Sequence, residues 1–300
     1  MTTADSASEQ RSERAVASLR GLAVGDALGS QFFVPDNYPL LKQRGLPSGP
    51  WQWTDDTEMA ASVLAVLMEH RRIDQDALAR SFAEHHDFDR GYGPAVNRLL
   101  RLVREGGDWR ELASALFNGQ GSWGNGSSMR IAPLGAWYAD DPEQATHQAE
   151  ISSYTTHQHR EAVVGAMAVA AAAALAAAPT GPPTPAELLD GVIALVPQSA
   201  VRAGLDRARD MLDYEDAGTV AAVLGNGRRT SAQDTVPFAL WSAARNLEDF
   251  EQAFWTTAEA GGDVDTTCAI VGGIVAAGTS GAPPAAWAAQ TEELPDWLPR

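Results

Sequence analysis

Apolar residues return along this chain at helical intervals, and runs of β-branched residues are scarce. Val16, Leu19, Leu22, Ala23 and Leu28 form one stripe, and Met59, Val63, Leu64, Val66 and Leu67 form a second. That spacing predicts a helix from near Arg14 and another from the Thr54-Asp55-Asp56-Thr57 cluster. Helical patterns follow over Asp76–His86, through Val96, Leu99, Leu100 and Val103, and over Trp109–Phe117. Downstream they cover Pro142–Thr155, Glu161–Ala178, Ala186–Val196, Val201–Leu212, Val236–Ala244 and Leu247–Ala260. The run from Cys268 to Ala277 is almost wholly apolar, so that helix is expected to be buried on all sides.

Between these segments the chain changes character. Met1–Glu13 is polar and reads as a disordered tail, which leaves 14–300 as one domain. Gln31–Trp53 holds four prolines and reads as a loop, as do Pro179–Pro185 and Gly225–Asp234. Gly119–Gly135 passes from a glycine-rich loop into a helix. Beyond Ala282, Trp287 and Trp297 sit among prolines, the pattern of a lid or strap. Gly21, Gly25 and Gly29 repeat every fourth residue on the first helix, where another helix or a ligand can approach the backbone closely. Asp26 is an acid on that otherwise small, apolar element.

Composition sharpens this picture. Three hundred residues at 45% hydrophobic content can bury a large core, and the dominance of helix formers, alanine above all, points to a mostly or wholly α-helical chain. A net charge of −17 argues against a general electrostatic affinity for nucleic acid or anionic membranes. The one cysteine, Cys268, excludes an intramolecular disulfide and reads as a buried, inert thiol. The N-terminus has no apolar core for a signal peptide. The alanine-rich apolar run Ala162–Ala178 is shorter than the roughly 20 residues that span a bilayer. A cytoplasmic protein is expected.

The acids carry the chemistry. An Asp at a helix start ordinarily caps free N–H groups, and capping needs one such residue. Here Asp55, Asp56, Asp263 and Asp265 supply four carboxylates, with the Thr54 and Thr266 hydroxyls beside them. Four negative charges and neutral oxygens match two hard divalent cations, Mg²⁺ first and Mn²⁺ or Ca²⁺ next. On the residues alone, caps and metal ligands both remain open. The Gly124–Arg130 loop, Gly-Asn-Gly-Ser-Ser-Met-Arg, offers backbone amides, the Ser127 and Ser128 hydroxyls and the Arg130 charge, either for a phosphate or as an ordinary capped turn. His157 and His159 read as packing residues or, for His157, as a ligand contact. Trp51, Trp53 and Trp123 read as core, although Trp123 could cover a ligand.

Taken in order, Gly25-Asp26-Ala27-Leu28-Gly29, Trp53-Thr-Asp-Asp-Thr57, Gly124-Asn-Gly-Ser-Ser-Met-Arg130, Thr156-His157 and Gly261-Gly-Asp-Val-Asp-Thr266 resemble the motifs of the ADP-ribosylglycohydrolase family, from about Arg14 to about Ala277. The resemblance implies a compact all-α orthogonal bundle with a binuclear Mg²⁺ centre, sometimes Mn²⁺. It implies Thr54, Asp55, Asp56, Asp263, Asp265 and Thr266 as metal ligands. Gly124, Asn125, Gly126, Ser127, Ser128, Met129 and Arg130 become the diphosphate and ribose loop, and His157 a substrate contact. The implied reaction is hydrolysis at the anomeric carbon of ADP-ribose carried by a protein or small molecule, with Asp55 and Asp56 at the catalytic centre and Asp56 a candidate base. Asp89 lies near where some members place a functional acid, in a different local pattern. No Glu occurs from Ser30 to Trp53, where the serine-directed relative carries an acid, so serine-linked ADP-ribose is in doubt. Two other readings stand beside this one: a non-catalytic ADP-ribose-binding protein and a two-metal phosphohydrolase.

Overall fold

Small side chains decide how closely the helices approach. The computed structural model describes residues 3–299, which form helices without named strands. Five helices frame the site: α1 (Thr3–Ser30), α2 (Asp55–His70), α3 (Arg160–Ala176), α4 (Ala232–Arg245) and α5 (Val264–Val275). The glycine row on α1 meets α5 and not a ligand. A Cβ at Gly25 would collide with the Cys268 carbonyl, and one at Gly29 would lie 2.9 Å from the Cα of Asp265. Ser18 Oγ adds a 2.7 Å bond to the Gly273 carbonyl along the same seam. Backbone-to-backbone packing of this kind fixes the register of α1 on α5, and therefore the height of Asp26 against Asp265.

The alanine run of α3 is buried along nearly its whole length between α4 and the Ala132–Trp137 and Pro142–Ser153 helices. Alanine supplies helix propensity and a thin cylinder, so several helices reach α3 at once. Around it the core is filled by Trp51, Trp137, Trp241, Trp255, Phe82 and Phe238, all without exposed surface of consequence. Among the described residues no helix is long and apolar enough to cross a membrane.

The expected all-α architecture is present, with several boundaries moved. The first helix begins at Thr3 and not near Arg14, because no breaker separates the tail residues from the apolar stripe. Met1, Thr2 and Arg300 lie outside the described residues. The Gln31–Trp53 loop contains short helical turns over Gln31–Phe33, Pro35–Asn37 and Tyr38–Lys42. The Trp109–Phe117 helix stops at Ser114, and Phe117 and Asn118 then take left-handed conformations with φ of 51° and 58°. A helix over Ala217–Leu224 was not expected; Asp216 caps it through the Thr219 amide. α4 starts four residues early and carries Pro237 inside, where the ring fits against Gly204. The C-terminal segment does act as a strap, with Trp287 buried and a backbone bridge from Thr291 to Trp51.

Candidate metal centre

Asp26 organises the first acidic helix start. Its side chain has no exposed surface. Oδ2 accepts from the Thr54 amide at 2.9 Å, the Thr57 amide at 3.2 Å and the Thr57 hydroxyl at 2.6 Å. Oδ1 accepts from the Thr54 hydroxyl at 2.8 Å. Thr54 in turn caps α2 by accepting from the Asp56 amide. Both threonines thus lock the turn onto α1, and Asp55 and Asp56 fall in the first turn of α2, where the positive end of the helix favours anions.

The second start is delivered by α5. Gly261 and Gly262 take φ of 65° and 83°, and a Cβ at Gly262 would collide with Asn226. Only glycine passes there, which places Asp263 at the end of the turn. The Asp263 amide donates to the Asn226 carbonyl at 3.0 Å, and its carboxylate accepts from Asn125 Nδ2 at 2.7 Å. Asp265 and Thr266 follow on the helix, with the Thr266 amide 2.8 Å from Asp265 Oδ1.

These elements meet. One carboxylate oxygen each from Asp26, Asp56 and Asp265 lies within 4.8 Å of the others. Burial, and then the charge of Asp26, push Asp55 up to about 8. Burial also drives Asp56 and Asp265 well above the usual carboxylate range, reinforced by Asp26 for the first and by Asp263 for the second. Asp263 is raised by burial against the pull of the Asn125 bond, and Asp26 is raised by burial despite its four donors. Five carboxylates so close and so dry repel one another strongly unless cations or protons intervene. Asp56 Oδ1 is buried with no hydrogen-bond partner at all. An orphaned acceptor at the centre of an all-oxygen cluster fits a hard divalent cation.

The glycine loop stands beside this cluster. Asn125–Ser127 forms a single 3-10 turn, whose first amides have no acceptor within it. The Asn125 amide donates to the Thr230 carbonyl and the Ala232 amide to the Trp123 carbonyl, tying the loop to the start of α4. His157 lies beneath the loop: a Cβ at Gly126 would sit 2.9 Å from its ring, and one at Gly124 3.3 Å. Its Nδ1 pairs with the Thr156 hydroxyl at 2.7 Å, and burial lowers its pKa to about 3, so the ring is neutral. His159 caps α3, its Nδ1 accepting from the Glu161 amide.

The structure separates the remaining expected residues. Ser127 Oγ donates to the Ala162 carbonyl at 3.0 Å, and Ser128 and Met129 are buried. Arg130 turns inward: its guanidinium lies 4.5 Å from the Phe82 ring, with Nη2 3.3 Å from the Ser152 carbonyl. Burial lowers its pKa to about 9, still above neutrality. Asp89 is exposed on the turn between Asp87 and Gly91, where a Cβ at Gly91 would lie 3.6 Å from Asp55 Oδ1. Two features escaped the sequence reading. By type and spacing alone, Asp26 is only an odd acid on a small-residue helix, and Phe117 reads as the end of a helix. Phe117 instead packs tilted against Trp123, 5.1 Å between rings at an interplanar angle of 38°, as a partly exposed aromatic pair beside the glycine loop.

Comparison with known proteins agrees with this geometry. ADP-ribosylhydrolase ARH3 of Gallus gallus is 33% identical over 179 residues, 53% of this chain and 48% of that protein, so the match spans about half of the relative. ADP-ribosylarginine hydrolase Tri1 of Pseudomonas putida (strain GB-1) is 28% identical over 315 residues, 95% of this chain and 78% of that one. A solved structure titled ADP-ribosylglycohydrolase-related protein complex superposes with a TM-score of 0.61 at 27% identity, covering 93% of this chain and 92% of that one. A family model described as ADP-ribosylglycohydrolase matches residues 7–300, and the chain belongs to that family.

Proposed function

We propose that this protein is a hydrolase, dependent on two Mg²⁺ ions with Mn²⁺ as a substitute, that cleaves the glycosidic bond at the anomeric carbon of ADP-ribose attached to a protein or small molecule. The observation that carries the reading is the convergence of Asp26, Asp56 and Asp265 oxygens within 4.8 Å, one Asp56 oxygen lacking any partner. Asp55, Asp56, Asp263 and Asp265, with the Thr54 and Thr266 hydroxyls, would hold the cations. Asp26 spends its oxygens on two threonines, so it orients the ligands from behind. When bound, the cations supply Lewis acidity for a ribose diol and for water.

The protein's own groups supply the rest. The anionic cluster favours the positive charge that grows on the ribose ring as the glycosidic bond breaks. Asp55 or Asp56 would accept a proton from the attacking water. The Gly126 and Ser127 amides suit the diphosphate, the Asn125 amide being given to the Thr230 carbonyl, and the Phe117–Trp123 pair offers a face on which an adenine can stack. Asp89, exposed at the rim near Gly91, is a candidate to approach the acceptor side. We place arginine first among acceptors, because the relative named for ADP-ribosylarginine aligns over 95% of the chain and no Glu occurs from Ser30 to Trp53.

A panel of arginine-, serine- and thymidine-linked ADP-ribose, run with Mg²⁺ and with chelator, tests the reading by chromatography of the products. Metal-dependent release of intact ADP-ribose is expected. AMP with ribose phosphate would mean cleavage of the diphosphate instead, and absence of turnover on every substrate would mean a binding protein.

A further inference from the structure

The last residues of the chain close over the turn that leads into α2. Trp287 anchors this segment, buried between Phe250, Phe254 and Trp255 with ring centroids 6.3, 5.3 and 5.8 Å away. From there the backbone runs beside Trp51: the Trp51 amide donates to the Gln290 carbonyl at 2.7 Å, and the Glu292 amide donates to the Trp51 carbonyl at 2.8 Å. Trp53 Nε1 donates to the Glu293 carbonyl at 3.1 Å. Three bonds therefore hold the strap to residues 51–53, immediately ahead of Thr54.

Arg90 adds a second tie from another direction. Its Nη1 and Nη2 grip both oxygens of Glu292 at 2.7 and 2.8 Å, and Nη1 also donates to the Trp53 carbonyl at 3.0 Å. The guanidinium lies 3.5 Å from the centroid of the Trp53 ring. This is a two-toothed, mostly shielded ion pair stacked on an aromatic face, a geometry far more restrictive than a solvated surface pair. It joins the strap, the residue before Thr54, and the turn whose Gly91 borders Asp55.

We infer that Glu292 is a positioning residue for the metal-holding turn: through Arg90 it fixes the Trp53 carbonyl, and with it the placement of Thr54, Asp55 and Asp56. The Trp287 anchor and the backbone bridge are independent of the Glu292 carboxylate, so the strap stays docked when that charge is removed. What relaxes is the Arg90 fork, and Trp53–Thr54 with it. The metal would then meet ligands that must be ordered as it binds, and affinity falls by the cost of that ordering.

The inference rests on the metal reading above, so its test has an arm that needs no metal. Glu292→Gln and Arg90→Lys are compared with wild type by hydrogen exchange of the 53–57 amides in metal-stripped protein and by calorimetric titration with Mg²⁺. Faster exchange confined to 53–57, with about 10-fold weaker Mg²⁺ binding and an unchanged melting temperature without metal, is expected. The double variant Arg90→Lys/Glu292→Gln should lose no more than the more affected of its two single variants, since one fork is being removed twice. Unchanged exchange at 53–57 overturns the inference, whether or not wild type binds Mg²⁺. So does a loss of affinity matched by an equal loss of metal-free stability, which would make the fork a general staple. Wild type that fails to bind Mg²⁺ while Glu292→Gln still loosens 53–57 overturns the metal reading alone.

Discussion

Thr54-Asp55-Asp56-Thr57 and Asp263-Val264-Asp265-Thr266 both open a buried helix, yet they are held from different sides. The first is capped by its own Thr54 and pinned by Asp26 of α1 through four hydrogen bonds. The second has no side-chain cap of its own; Asp263 is held from outside, by Asn125 of the glycine loop and by the Asn226 carbonyl. Sequence similarity between the two clusters therefore hides a difference in dependence. The first start is tied to α1 by the Asp26 side chain, whereas the second meets α1 by backbone packing of Val264 and Asp265 on Gly29. The second shares a residue with the loop proposed to receive the diphosphate, so occupancy of that loop and the geometry of Asp263 are linked through one amide.

Removing a ligand from either start should have the largest effect and should not distinguish them. Asp55→Ala and Asp265→Ala are each expected to abolish turnover while the fold survives, since taking one charge from a repelling group relieves strain in the metal-free protein. Turnover on the arginine-linked substrate, read beside circular dichroism, checks this. Wild-type rates in either variant would break the metal assignment.

The comparison sharpens one residue further back. Asp26→Asn replaces two acceptor oxygens by one and strands donors from Thr54 and Thr57, so about 10- to 100-fold weaker Mg²⁺ binding and a lower melting temperature are expected together. Asn125→Ala removes a single 2.7 Å bond to Asp263. It should weaken Mg²⁺ by about 10-fold or less, leave the melting temperature nearly in place, and raise KM for the ADP-ribosylated substrate. Equal calorimetric and kinetic losses in both variants would mean that the two starts are not held differently after all.

The legible parts of this molecule are those where one physical requirement dominates. An apolar run such as Glu161–Ala178 has no alternative to a buried helix, and it appears as Arg160–Ala176. Four acids beside hydroxyls at helix starts also announce themselves. Asp26 did not, because a lone acid on a glycine-spaced helix says nothing about its partners until Gly25 and Gly29 bring α5 against α1. Arg130 looked like a ligand residue by type, yet it follows a tight turn whose register sends it inward to Phe82. The neighbours of Phe117 predict a helix, while its left-handed backbone and its contact with Trp123 are tertiary facts. The short Ala217–Leu224 helix carries Gly218 and β-branched Thr219, Val220 and Val223, so packing against α4 and not propensity holds it.

A last test lies under the glycine loop, at His157. Its buried ring has a pKa of about 3 in the folded protein against 6.5 when exposed. Between those values the unfolded chain binds the proton and the folded one does not, so folding stability falls as pH drops, by about 1.4 kcal/mol per unit at most, and is unaffected above the upper value. His157→Gln keeps a polar group near Thr156 and removes the titration. Urea unfolding of the two proteins between pH 7 and pH 4 should therefore converge in relative terms, the variant losing less stability on acidification than wild type. Parallel curves would mean that His157 is protonated in place. The loop over it would then rest on a cation, and the neutral floor assigned to Gly124 and Gly126 would have to be abandoned, taking with it the separation between the glycine loop and the charged centre beside it.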